Sequence, residues 1–450
     1  MADFSKFQFQ GEDGRDEFQR EPIAEKIIQL LTSNIDISPM IIDGDWGTGK
    51  SEFCHKLINK FKDEKDGYQI IYIDAFKADH ADNPLMTIFA EIVKLVPEKE
   101  KESFIKKALP FMRYVTTTTL KAAASHILRA NLEDIEGDFK EAIQDVTNTA
   151  IDTTITTLLK DHEEAEKNLE ALQSLLAELA KDKPIIIFID ELDRCRPDFS
   201  VSMLEVIKHT FNVENVKFVL VTNTAQLKAA INHAYGSTIN AQRYLNKFVK
   251  FTISLPTKHG DEYNRKLSSF EYFQQLARKS EVLQETILKT PKEYNATVEL
   301  IYELINANNL SLREVETFIK HFEIAHILGI QLTDKTKWGY CTLYALGIFI
   351  GCFQLELIED IQTQNVNAEH LFKLVNVNMD ENIPLYSFYL GLILLASQAH
   401  VNSSVAQQLV EKFQERGNSL ENTFFDGWIR LESYWSPLLN VIDLIYLRAK

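Results

Sequence analysis

Eight residues constrain this chain more than any others: Gly44, Asp45, Trp46, Gly47, Thr48, Gly49, Lys50 and Ser51. They follow a short apolar run, Met40–Asp43, and open an amphipathic stretch that begins at Glu52. Glycine takes up positive φ at no steric cost, so Gly44, Gly47 and Gly49 allow a tight backbone curl. Between a strand and a helix, such a curl turns successive N–H groups inward. Those groups and the positive end of the helix can then hold phosphate oxygens. Lys50 is spaced to reach the outer phosphates of a nucleoside triphosphate, and the Ser51 hydroxyl to coordinate magnesium. Residues 44–52 are therefore the candidate nucleotide-binding segment.

A second run supports this pattern. Ile185–Asp190 is continuously apolar and then meets Glu191, Leu192, Asp193, Arg194 and Cys195. An uninterrupted apolar strand is what a parallel sheet covered on both faces requires. Acids at its end suit the magnesium side of a phosphate site, with Asp190 as the ion holder. Glu191 is the first candidate for the base that polarises an attacking water, and Asp193 its substitute. Further along, Lys217–Thr222 ends at Asn223, which either touches the γ-phosphate or caps the helix that follows.

Five apolar, β-branched runs stand out in all: Met40–Asp43, Gln69–Asp74, Ile185–Asp190, Lys217–Thr222 and Val249–Ser254. Helical patterns separate them, which predicts an α/β fold with a parallel sheet. The gap between the second and third runs is too long for one crossover helix, so a helical insertion is expected at about 95–182. No strand is expected after Pro256, and the remainder reads as helical, including Ser311–Ile319. The resulting plan is a nucleotide domain at 1–258, a helical lid at 259–330 and a C-terminal helical domain at 331–450.

Composition narrows the remaining classes. A net charge of −17 argues against an extended phosphate-tracking surface and leaves room for one local basic groove only. Cys54, Cys195, Cys341 and Cys352 form no CxxC pair, which predicts reduced thiols in a cytoplasmic setting. Gly339–Leu355 and Ile383–Val401 are uncharged, yet carry polar residues that favour buried helices over membrane spans. His321 and His326 are five apart, not the i, i+4 spacing of a zinc pair, and read as ordinary helix residues.

The order of motifs resembles the KAP family of P-loop NTPases, within a STAND-like group. Beyond GDWGTGKS, the resemblance rests on Arg20 to Ala24, YIDAFKADHADNP at 72–84 and the acidic cluster at 190–195. It continues through FVLVTNTAQLKAAINHAYG at 218–236, RYLNKFVKFTISLP at 243–256 and LSLREVE at 310–316. The family implies a sheet ordered 5-1-4-3-2, ATP with Mg2+, and a helical lid after the sheet. It also implies that Arg313, Arg243 or Lys247 reads the γ-phosphate, within one chain or across a subunit interface. Arg20, with Phe18 and Ile23, either lines the adenine pocket or packs its helix on the sheet. Trp46 either covers the phosphates or wedges the loop in place. Arg194 is either an ion-pair partner or a contact to another subunit. Two features depart from the family: a soluble-looking insertion, and Thr222-Asn223-Thr224 in place of an acidic–basic pair. The expected role is a regulatory or assembly ATPase acting as a homo-oligomer or on a protein partner, in a family whose prokaryotic members are associated with phage defence. A membrane-anchored scaffold and a P-loop kinase are the competing expectations.

Overall fold

The structure is a computed structural model. It describes residues 6–11, 14–81, 83–119, 155–260, 265–285, 287, 296–330, 336, 338–363, 365–375 and 435–446. The chain divides into two units, Met1–Pro256 and Thr257–Lys450.

The first unit is built on five strands, β1 (Met40–Asp43), β2 (Gln69–Asp74), β3 (Ile185–Asp190), β4 (Val216–Thr222) and β5 (Phe251–Ser254), in the order β2-β3-β4-β1-β5. All four pairings are parallel. This is the expected 5-1-4-3-2 arrangement of a P-loop fold. β4 starts one residue earlier than its sequence pattern suggests. β5 starts two residues later than predicted. The reason is local: Val249 still donates its backbone N–H to Leu245, closing the preceding turn before the strand can begin.

Alternation along β3 shows why its run is apolar throughout. Ile186 and Phe188 join a core with Ile27, Leu31, Phe53 and Leu57, on the face covered by α1 (Glu21–Thr32) and α2 (Lys50–Glu64). Ile185, Ile187 and Ile189 point to the opposite face. There they meet α3 (Pro84–Val93), α4 (Glu98–Thr119), α5 (Ile155–Asp182) and α6 (Pro197–His209) through Phe89, Phe104, Leu176 and Leu204. The predicted helical insertion is thus represented by α4 and α5, which pack together and contribute to this core. Its central part, residues 120–154, lies outside the described residues. α7 (Thr224–Tyr235) and the short α8 (Ala241–Leu245) connect β4 to β5.

The second unit starts with a feature the sequence reading missed. Lys258–His259 (β6) pairs antiparallel with Lys266–Leu267 (β7), a two-residue ladder too short to leave an apolar signature. The rest of what is described is helical: α9 (Ser268–Lys279), α10 (Glu281–Glu285), α11 (Ala296–Ala307), α12 (Leu312–Ile327), α13 (Trp338–Phe353), α14 (Glu356–Gln362), α15 (Ala368–Lys373) and α16 (Trp435–Ile445). Ser311 caps α12 in a reciprocal capping box with Glu314, and the helix extends past the predicted Ile319 to Ile327. Gly347 lets α13 and α16 approach closely, because a Cβ there would lie 2.9 Å from Val441 Cγ1.

α13 covers most of the uncharged Gly339–Leu355 stretch and buries Leu343, Leu346, Phe349 and Ile350 in the core of this unit. Among the described residues no helix is long and apolar enough to cross a membrane. The second uncharged stretch, 383–401, lies outside them. The four cysteines are free thiols. No cluster that could hold a metal through His, Cys, Asp and Glu occurs among the described residues, and His321 bonds to the Thr317 carbonyl oxygen of its own helix.

Phe188 is fully buried at the centre of β3. Phe188→Ala is expected to destabilise the first unit by about 3–5 kcal/mol, the usual cost of emptying an aromatic core site. Urea unfolding followed by far-UV circular dichroism measures it.

Candidate nucleotide site

The glycine loop joins β1 to α2. Gly47 and Gly49 have φ values of 75° and 82°, the left-handed conformation in which a side chain would be strained. Gly49 is the N-cap of α2, whose first residues are Lys50 and Ser51. Lys50 is 9% exposed, and its ammonium donates to the carbonyls of Gly44 at 2.7 Å and Asp45 at 3.0 Å. Burial lowers its pKa, while Asp193, Asp190 and Asp43 pull it back up. Three carboxylates therefore act electrostatically on the ammonium that the sequence assigns to the phosphates.

Register brings those carboxylates together. β1 ends at Asp43 opposite Thr222 and Ser254, and β2 ends at Asp74 opposite Asp190. In parallel sheets, ligands bind beyond these carboxyl ends. Asp190 is 1% exposed and accepts hydrogen bonds from the Glu191 backbone N–H at 2.8 Å and from the Tyr72 hydroxyl at 3.1 Å. Ser51 lies near enough to the same carboxylate to favour its charged form. Burial outweighs these bonds and pushes Asp190 up to about 6. Tyr72 was not among the expected site residues. Its signal was present in the YID at the end of β2, since strand alternation and register set Tyr72 two residues before the partner of Asp190.

The remaining acids are already engaged. Glu191 has φ 60°, unusual for a residue with a side chain, and its carboxylate pairs with Arg194 at 3.0 Å. Of its two expected roles, Arg194 thus takes the ion pair within the chain. Asp193 accepts from the Trp46 indole N–H through one oxygen and from the Thr222 hydroxyl at 3.1 Å through the other. Trp46 remains 48% exposed, and its indole ties the loop to the end of β3. Of its two expected positions, Asn223 takes that of the helix cap. Its carbonyl oxygen caps α7 by accepting from Ala225 and Gln226, and its amide donates to Asp45 at 3.3 Å. The neighbouring Thr224 N–H donates to Asp43 at 2.8 Å.

An N-terminal segment packs along the outside of the loop and α2. Arg20 is 5% exposed, and its guanidinium donates to the Thr48 carbonyl at 2.9 Å and lies over the Phe18 ring. Its backbone N–H and that of Glu21 are held by Asp16, which caps α1 from four residues upstream. Arg15 forms a bidentate pair with Glu52 at 3.0 Å, and Lys56 bonds to both Glu52 and the Arg15 carbonyl. Phe9 packs edge-on against Phe53. Glu52, expected with the nucleotide segment, therefore anchors this strap.

Two expected cations lie apart from these bonds. Arg243 is exposed on α8, and among the described residues no hydrogen bond or ion pair joins it to the loop. Arg313 is exposed in the first turn of α12, in the second unit.

Arg20→Gln removes the donor to Thr48 and one of the positive charges near Glu17, Glu52 and Asp16. A loss of about 1–3 kcal/mol in thermal stability is expected, with partial recovery in Arg20→Lys. His55 supplies a pH test. Burial and Lys77 lower its pKa from 6.5 to about 4, so the folded chain holds it neutral. Below pH 6.5 the unfolded chain gains that proton first, so the His55 contribution is lost as pH falls towards 4. The stability difference between the wild type and His55→Phe should move against the wild type from pH 7 to pH 5, measured by thermal melts at each pH.

Comparison with known proteins adds three findings. Among curated proteins none matches the chain. The structure of C. elegans PCH-2 overlaps 79% of this chain and 73% of its own, at 12% identity and a TM-score of 0.31, a likeness too slight to add to the topology above. The family model described as the KAP family P-loop domain matches residues 20–328, which takes in Arg20, the glycine loop, the acidic end of β3, Asn223, Arg243 and Arg313. Over two thirds of its length, then, this chain is a member of the KAP family of P-loop NTPases.

Proposed function

We propose that the chain hydrolyses ATP with Mg2+ and serves as a regulatory or assembly switch. The observation that carries this reading is the meeting of the Ser51 hydroxyl, just after the glycine loop, with the buried Asp190 carboxylate. Both are hard oxygen donors of the kind magnesium takes, and Tyr72 and the Glu191 N–H fix the carboxylate's orientation. Ser51 and Asp190 would hold magnesium there, and its charge would offset the negative charge that develops on the phosphates.

The chain's own groups do the remaining work. In this reading the Lys50 ammonium exchanges its carbonyl partners for the β- and γ-phosphate oxygens, with the loop N–H groups around them. Asp193 has both oxygens occupied by Trp46 and Thr222, which favours Glu191 as the base. The Glu191 carboxylate pairs with Arg194 and keeps acceptor capacity for a water proton. Asn223 links the loop to β4 and α7, so movement of Asp45 on binding would reach both. An arginine, Arg243 or Arg313, completes the site on closure or from another copy, and Lys247 is the lysine alternative. The family resemblance directs the switch towards phage and plasmid defence.

Lys50→Ala is expected to abolish nucleotide binding and turnover together. Glu191→Gln should keep binding and slow turnover by about 10²–10⁴-fold, the usual range for loss of a general base. Calorimetric titration with Mg–ATP and phosphate-release assays over a range of protein concentrations provide both readouts. Turnover per subunit that rises with concentration supports an arginine supplied in trans, and unchanged turnover in Glu191→Gln removes Glu191 as the base.

A further inference from the structure

Residues 215–260 contain no Asp or Glu and six Lys or Arg, in a chain whose net charge is −17. Up to Ser254 this stretch builds β4, α7, α8 and the edge strand β5, so its charge is gathered on one side of the sheet. Lys217 is used inward, against the carbonyls of Leu31 and Ser33. Lys208 of α6 and Lys247 are different. Their ammonium groups lie over the rings of Phe248 at 5.0 Å and Tyr244 at 5.7 Å, and among the described residues neither has a carboxylate partner. The acids in this region are few. Glu205 already accepts from the hydroxyls of Tyr235 and Tyr244, and Asp36 pairs with Lys250.

Two cavities meet at Lys250. One, of about 90 Å³, has a largely apolar wall that includes Ile207, Phe211 and Phe248, with Lys208, Lys247 and Asn212 as polar lining beside Lys250, which Asp36 already pairs. The two remaining ammonium groups can take a small oxyanion. The other, of about 430 Å³, runs along β5 past Gln242, Asn246 and Phe251. Phe251, in its lining, is 37% exposed. Gln242 donates to the Asn246 carbonyl oxygen, which leaves the Asn246 amide N–H groups to donate elsewhere. A cationic pocket beside a wider one with an aromatic ring and an amide matches the two parts of a nucleotide unit, phosphate and base.

We propose that this edge of the sheet is a second nucleotide-unit site, separate from the glycine loop, and that its ligand is single-stranded nucleic acid. A single strand is favoured because its bases are free to leave the stack and enter the wider cavity, and because cations beyond the small pocket, Lys228 and Arg243, extend the positive surface. Lys247 and Arg243 are also candidates to complete the ATP site, and the proposal requires neither of them in that role.

The test uses the full-length Lys50→Ala variant, in which the glycine loop cannot supply the signal. Fluorescence anisotropy follows labelled oligothymidylate, oligouridylate and AMP as separate probes. Binding of an oligonucleotide is expected, with a log–log salt slope of about −2 if three phosphates are neutralised. Adding Lys208→Gln and Lys247→Gln should weaken it by about tenfold or more, while the paired Arg substitutions retain it. AMP binding as tightly as the oligonucleotides would overturn the strand as ligand and leave a free nucleotide in its place. Absence of binding by all three probes, or binding unaffected by the Gln substitutions, would overturn the site itself. Displacement by polyglutamate at the same charge concentration would overturn nucleic acid in favour of an acidic protein.

Discussion

The site depends on where the strand register places the buried Asp190 carboxylate, held by the Tyr72 hydroxyl and the Glu191 N–H and close enough to Ser51 for that hydroxyl to favour its charged form. Asp190 lies level with Asp74 on one side and Val221 on the other, and Asp43 lies level with Thr222. A slip of β3 by one residue would turn Asp190 to the opposite face and exchange the Ile187 row with the Phe188 row between the two helix layers. The apolar alternation of β3 therefore does two things: it holds the sheet between its helix layers, and it aims one acid at the first turn of α2. The strain at Glu191, with φ 60°, comes immediately after that acid and turns the chain into Leu192–Arg194.

Around this centre the loop is fixed from three directions. Arg20 holds Thr48 from the N-terminal strap, Asp193 holds Trp46 from the end of β3, and Asn223 holds Asp45 from the end of β4. Each is a polar contact to a different loop residue, and each comes from a different element. Polar bonds of this type, exposed at Trp46 and half-buried at Thr48 and Asp45, add little net stability when intact, but cost more when one partner is removed. They specify one loop conformation rather than provide the bulk of folding energy, which resides in the apolar layers on either side of β3.

Much of this was legible in the sequence because the controlling patterns are local. Gly44–Ser51 and the acid-tipped run at Ile185–Asp190 are short, contiguous and bounded by clear secondary-structure signals. The five strands are recoverable for the same reason, with errors only where a turn overlaps a β-branched stretch, as at Val249. What the sequence concealed is pairing at a distance. Nothing local shows that Trp46 meets Asp193, that Arg15 meets Glu52, or that Tyr72 meets Asp190. Asp16 escaped notice because it caps α1 from outside the usual cap position, which Arg20 occupies. The β6–β7 ladder escaped because two residues carry no period.

The most direct test of the central claim is anomalous scattering from crystals grown with Mn2+ and a non-hydrolysable ATP analogue. The account predicts one strong manganese peak within ligating distance of the Ser51 hydroxyl, on the Asp190 side of the glycine loop, with the analogue's phosphates against Lys50. A nucleotide bound in the loop with no metal beside Ser51, or a metal peak remote from Asp190, would contradict it.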